Sequence, residues 1–230
     1  MTGPPQIIPR PPSARPGPPS PWADVPAASR TGLSLQRVRP LLSTPFDRGR
    51  GADVVRESAV LAALFEDDGE SRIILTRRAS TLRSHTGQVA FPGGRVEGHE
   101  TLVEAALREA SEEVGIDPAG VDVIGTLTPL MTFASPATIN PFVGVLGRRP
   151  TLRTSPAEVE AAYDVALADL LVEGVHRTER WEIDGAVRVM DFFDLPDDIV
   201  WGATDRMLAE LLARVTGTAG RAASDEGTLP

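Results

Sequence analysis

No cysteine occurs in the 230 residues. Disulfide scaffolds, thiolate metal sites and thiol nucleophiles are therefore excluded together. Lysine is absent as well, so the 23 positive side chains are all arginine and face 32 aspartates and glutamates, for a formal charge of -9. That acidic excess argues against a general binder of nucleic acid, which needs a cationic face to release counterions. Long apolar runs are missing: Ala59 to Phe65 is the longest, far short of the ~18 residues that span a bilayer. No basic start leads into an apolar stretch at the N-terminus, so no secretory signal is read, and the expectation is a cytoplasmic chain with no membrane partner. What remains, 41 % hydrophobic and 24 % charged, is the composition of a soluble globular protein. The length suits one domain with attachments.

The first 26 residues hold ten of the 21 prolines. Such a stretch cannot build ladders or helices, so residues 1–30 are expected to form a disordered, polyproline-like arm. Residues 217–230, rich in Gly, Ala, Ser, Thr and acid, are expected to be a disordered tail. Residues 31–216 are then the folded domain. Within it SAVLAALFE (Ser58–Glu66) and RIILTR (Arg72–Arg77) flank DDGES, which predicts a hairpin. Val121–Leu130, Ile139–Gly147 and Val187–Leu195 are further strand candidates, and Met207, Leu208, Leu211, Leu212 and Val215 repeat with helical spacing. Strands and helices out of strict alternation suggest an α/β fold, a mixed sheet covered by helices.

The chemistry concentrates in GRVEGHETLVEAALREASEEVGI, Gly94 to Ile116. Thr101 and Glu104 fit a capping box and Gly115 a helix C-terminus, so Thr101 to Val114 is predicted helical. At ~100° per residue, Val103, Leu107, Ala110 and Val114 share one side, and Glu109, Glu112 and Glu113 a separate face. Three carboxylates at such spacing repel by a few tenths of a kcal/mol per pair, so a positive group is expected over them. A hard divalent cation suits oxygen ligands without His or Cys, and Arg108 can orient a carboxylate with its fork.

Read as spacing, the segment runs Gly94, Glu100, Arg108-Glu109, Ala110, Glu112-Glu113, Gly115-Ile116. It resembles the Nudix hydrolase signature at every defined position, with Ala110 standing where bulkier aliphatics are also common. The resemblance implies an α/β/α sandwich with a mixed sheet, whose glutamates hold Mg²⁺ or Mn²⁺ against a pyrophosphate. It nominates Glu109 and Glu113 as metal ligands first and Glu112 next, and Glu109, Glu112 and Arg108 as catalytic residues.

Directly upstream, Leu75, Thr76, Arg78, Ala79, Arg83, Gly87, Phe91, Pro92, Gly93 and Gly94 resemble the pattern that precedes this box in the coenzyme A pyrophosphatase branch. The resemblance implies hydrolysis of coenzyme A or a derivative to 3′,5′-ADP and 4′-phosphopantetheine, with Arg78, Arg83, Gly87, Phe91, Gly93 and Gly94 at the substrate. From the residues alone, Arg77, Arg78 and Arg83 place positive charge where a polyanionic small molecule needs it.

Other residues carry weaker signals. His85 could bond substrate or a loop carbonyl, whereas His99 and His176 lack ligand spacing and read as surface residues. Glu158 and Glu160 are candidate general bases or plain surface carboxylates, and Trp201 reads as packing first. Alternatives that keep the fold are a pyrophosphatase for ADP-ribose, NADH or an oxidised nucleotide, and a non-catalytic nucleotide sensor. An isopentenyl diphosphate isomerase, which shares the fold but uses a cysteine, is excluded.

Overall fold

The computed structural model describes residues 6–46, 56–80, 87–132, 137–183 and 185–218. In chain order the elements are β1 (Arg15–Pro16), α1 (Leu35–Leu42), β2 (Arg56–Asp67), β3 (Glu70–Arg78), β4 (Val89–Ala90), β5 (Gly93–Arg95), α2 (Leu102–Val114), β6 (Val121–Thr126), β7 (Leu130–Thr132), β8 (Ala137–Leu146), β9 (Val159–Ala166), α3 (Leu167–Leu170), β10 (His176–Ile183), β11 (Ala186–Asp194), β12 (Ile199–Trp201) and α4 (Ala203–Thr216).

The expected hairpin is present. β2 and β3 pair from Leu64↔Ile73 to Asp67↔Glu70, leaving Asp68 and Gly69 as a two-residue turn with φ of 50° and 76°. Those positive values match the right-handed strand twist, and Asp-Gly adopts them at little cost. β2 also pairs in parallel with β8, from Arg56↔Ala137 to Leu64↔Val145, and antiparallel with β5 at Ser58↔Arg95 and Val60↔Gly93. With β9 and β4 on β3, and β6 and β7 on β8, the main sheet is mixed.

Both of its faces are covered. Ala59, Leu61, Ala63 and Phe65 of β2 meet Val103, Ala106, Ala110 and Val114 of α2. The intervening Ala62 and Leu64 join Val38 and Leu42 of α1, Leu167 of α3, and Leu208, Leu211 and Leu212 of α4. A strand buried on both faces reads as a continuous apolar run, here Ala59–Phe65, because side chains alternate along it. This is the expected α/β/α sandwich with a mixed sheet. No helix among the described residues is long and apolar enough to cross a membrane.

Residues 6–30 depart from the expected disorder. β1 pairs with β10 at Arg15↔Arg180 and Pro16↔Glu179, on the edge of a small sheet ordered β1-β10-β11-β12. Gly17 N donates to Thr178 O at 2.8 Å, Thr178 Oγ1 donates to Pro18 O at 2.5 Å, and Trp22 is 2 % exposed. Proline lacks a donor but accepts freely at a sheet edge. Its fixed φ also lowers the entropy lost on docking, so proline content alone did not prevent order here. The last residues of the chain, 219–230, lie outside the described residues, and Gly217 closes α4 with φ 70°.

Candidate active site

Helix α2 is built as its sequence predicts. Thr101 Oγ1 accepts from Glu104 N at 3.2 Å, and Glu104 Oε2 accepts from Thr101 N at 2.7 Å. Gly115 ends the helix with φ 73°, a conformation glycine adopts without a Cβ penalty. The short β5 precedes it, and Gly93 there is dictated by close approach. A Cβ at Gly93 would lie 2.4 Å from Ala59 O and 2.6 Å from Val60 Cα, both backbone atoms that cannot give way. On the α2 side, Gly93 N donates to Glu113 Oε2 at 3.0 Å.

The glutamates of α2 are not one solvated stripe. Glu113 is buried, its side chain 5 % exposed. Burial pushes its carboxyl up to about 7, against the Gly93 hydrogen bond and the charge of Arg78, and with the charges of Glu109 and Glu158. Glu109 is raised by burial as well, opposed by Arg108 and reinforced by Glu112 and Glu158. Glu112 is 57 % exposed at its side chain and turns to Arg108.

Arg108 is the hub. Its Nε and Nη2 reach Glu100 Oε2 and Oε1 at 3.0 and 2.9 Å, and Nη2 also donates to Arg95 O at 3.0 Å. Its Nη1 reaches Glu112 Oε2 at 3.0 Å and Glu109 Oε1 at 3.1 Å. The hydrogen bonds from Arg108 hold Glu100 below the usual carboxylate range, as charge-assisted bidentate pairing does. Arg108 thus supplies part of the positive charge the sequence demands over the cluster. Among the described residues no three His, Asp or Glu side chains converge as a ready metal site. The expected trio of Glu109, Glu112 and Glu113 is therefore split: Glu109 and Glu113 sense each other's charge, while Glu112 is engaged by the arginine.

The donor set still fits a hard divalent cation. Two crowded, desolvated carboxylates carry unfavourable negative charge that such an ion would relieve. The close approach of Gly94 supports the same reading: a Cβ there would sit 2.2 Å from Glu109 Oε1 and 2.4 Å from its Cδ. A larger residue there would displace the Glu109 carboxylate from the position it holds.

The arginines before the box separate by strand parity. Arg78 lies on the α2 side, its Nη1 4.0 Å from Glu113 Oε1, and its buried Nε has no hydrogen-bond partner among the described residues. A buried donor left unpaired is costly, which suits a group waiting for an anionic ligand. Arg77 corrects the expectation of a phosphate contact. Its side chain is 5 % exposed, and Nη1 donates to Asp198 Oδ1 at 2.9 Å, which also accepts from Tyr163 Oη at 3.0 Å on Oδ2. Glu160 Oε1 stands 4.0 Å from Arg77 Nε, in that network.

Glu158 is brought in by the 150–158 loop. Arg153 N and Ser155 N donate to Val114 O and Glu113 O at 3.0 Å each, Glu158 N donates to Ser155 O at 3.0 Å, and Ala79 N donates to Glu158 O at 2.8 Å. The loop is thereby pinned to both the end of α2 and the end of β3. Its exposed carboxylate raises Glu109 and Glu113 electrostatically.

Other expectations resolve differently. Phe91, expected at the substrate, is 2 % exposed and packs in the core with Val89 and Leu75. Gly87 adopts φ 67° and accepts from Gln6 Nε2 at 2.8 Å. Arg83 and His85 lie outside the described residues. His99 is exposed as expected, whereas His176 is not a surface residue: its side chain is 1 % exposed. Trp201 pairs across from Phe192 in the small sheet and is half-buried, as packing predicts. Glu100 had no assigned role in the sequence beyond its motif position; its i,i+8 spacing from Arg108 offers no periodic signal, since a loop connects them.

A model of the NUDIX domain matches residues 55–210. The chain is 40 % identical over 161 residues to Nudix hydrolase 22, chloroplastic, of Arabidopsis thaliana, covering 66 % of this chain and 53 % of that one. It spans about half the length of the plant relatives it matches. To the uncharacterized Nudix hydrolase NudL of Cronobacter sakazakii it is 36 % identical over 167 residues, covering 70 % and 83 %. A MutT/nudix family protein from Enterococcus faecalis shares the fold with a TM-score of 0.51 at 16 % identity, covering 76 % of this chain and 66 % of that one. Domain match, relatives and an acidic helix under a double-glycine strand agree: the chain belongs to the Nudix family.

Proposed function

We propose that the chain is a Mg²⁺- or Mn²⁺-dependent pyrophosphohydrolase that cleaves coenzyme A or a derivative to 3′,5′-ADP and 4′-phosphopantetheine or its acyl form. The observation that carries the reading is the meeting of two segments at one place. Arg78, from the segment that resembles the coenzyme A branch, brings its Nη1 to 4.0 Å from Glu113 Oε1 of the acidic helix, and its buried Nε has no hydrogen-bond partner among the described residues.

Glu109 and Glu113 would hold the cation, with Glu112 able to join them only by leaving Arg108. Bound there, a divalent ion would neutralise pyrophosphate oxygens and acidify a water. Arg108 fixes the approach of Glu109 through a guanidinium whose other edge is locked on Glu100. Arg78 would bind a phosphate oxygen. Glu158, exposed and anchored by its backbone, is suited to accept the proton of the attacking water. Gly94 keeps a side chain out of the space beside Glu109, and Gly93 lets β5 lie close against β2.

The test is product identification by mass after incubating the chain with Mg²⁺ and, separately, coenzyme A, ADP-ribose, NADH and an oxidised nucleotide. Masses of 3′,5′-ADP and 4′-phosphopantetheine with a kcat/KM at least tenfold above the other substrates support the assignment. Faster cleavage of another substrate replaces it, and no cleavage of any leaves the sensor reading.

A further inference from the structure

The proline-rich arm places a serine on a histidine that pyrophosphate hydrolysis does not use. Ser20 Oγ lies 2.6 Å from His176 Nδ1, and His176 Nε2 lies 2.9 Å from Asp191 Oδ1. Asp191 as a carboxylate only accepts, so Nε2 carries the proton and Nδ1 is left as acceptor for the serine hydroxyl. The ring packs against Trp22 and Phe193, each with its centroid 4.8 Å away. Asp191 is buried. A nucleophile on a base that a third group orients is the general arrangement of an activated serine.

The serine is held from its own side too. Pro16, Pro18, Pro19 and Pro21 restrict the backbone around it. Gly17 lets the arm lie against β10, since a Cβ there would fall 2.1 Å from Thr178 Oγ1 and 2.9 Å from Thr178 C. Ser20 opens on a cavity of about 420 Å³ lined also by Trp22, Arg30, Glu173, Gly174 and His176. That volume is in the range of small-molecule sites. Glu173 and Gly174 form the cavity's exposed rim.

We infer that Ser20, His176 and Asp191 form a second, metal-independent site, in which Ser20 accepts the acyl group of a small carboxylic ester or thioester. The Ser20 oxygen bonds to the carbonyl carbon while its proton passes to His176 Nδ1. The carbon–oxygen or carbon–sulfur bond to the leaving group then breaks, and the leaving group takes that proton. Water cleaves the resulting serine ester by the same route, which returns the Ser20 hydroxyl and releases the acid. Asp191 is the positioning residue that sets the ring's tautomer.

The full chain, in EDTA, is treated with a fluorophosphonate, and the site of modification is mapped by mass. Attack of Ser20 on phosphorus expels fluoride and leaves one phosphonyl group on the peptide carrying Ser20. Labelling at one group per chain, at least tenfold faster than in urea-unfolded chain, is expected for wild type and for the control S13A. S20A should lose it. D191N should slow it 100-fold or more while its melting temperature shows the fold retained. With p-nitrophenyl butyrate, wild type should release about one equivalent of p-nitrophenolate in a burst that S20A lacks. Equal labelling of Ser20 in native and unfolded chain, or an unchanged burst in S20A, overturns the proposal.

Discussion

Glu113→Gln should make the metal-free chain more stable and nearly inactive. Burial is the main reason the Glu113 carboxyl rises from its ordinary 4.5 to about 7. At 1.36 kcal/mol per tenfold change in proton affinity, that difference corresponds to about 3 kcal/mol. The folded state holds this proton more tightly than the unfolded state does. Folding stability from this group is therefore complete below pH 4.5 and is lost as pH rises through 7. Glutamine keeps an oxygen for the Gly93 amide and carries no charge to bury. In EDTA at pH 8 the variant should thus melt higher than wild type by roughly 6–12 °C, on about 2–4 °C per kcal/mol for a chain of this size. At pH 4 the two curves should converge. Mg²⁺ should raise the melting temperature of wild type by linkage and that of the variant much less, and turnover should drop at least 100-fold. Coincident melting curves at pH 8 would refute the claim that the site stores an uncompensated buried charge.

Gly94→Ala puts a methyl into the Glu109 carboxylate and should lower kcat about tenfold or more with a stability change near 1 kcal/mol, checked by kinetics and thermal melting. Arg108→Gln releases Glu100, Glu109 and Glu112 at once; kcat should fall about 10- to 100-fold, with Glu100 titrating higher by NMR. Arg78→Gln should raise KM for the pyrophosphate substrate more than it lowers kcat. Trp22→Ala removes a buried aromatic of the arm and should cost about 3–5 kcal/mol in denaturant unfolding; no loss would mean the arm does not contribute to the fold.

How much could be read in advance follows the range of the interactions. The β2–β3 hairpin was legible because Asp68-Gly69 and the flanking apolar runs settle it within a few residues. α2 was legible for the same reason, since its caps and its carboxylate spacing are local. β9 was missed because VEAAYDVA is alanine-rich with weak strand preference. β10, HRTERWEI, was missed because polar residues hide a strand whose Thr178, Glu179 and Trp181 are buried by the arm and by ion pairs. α1 is a short helix with Pro40 inside it.

The chain's order of residues by itself determined the chemistry available: three glutamates and an arginine on one capped helix, behind two glycines and an arginine-bearing strand. Tertiary structure alone decided what each one experiences. Gly93 meets Glu113 across twenty positions, Arg77 and Arg78 part to opposite faces of one strand, and Ser20 reaches His176 across more than 150. Helical and turn geometry act over neighbours, whereas burial, charge and partner choice depend on which distant segments share a space.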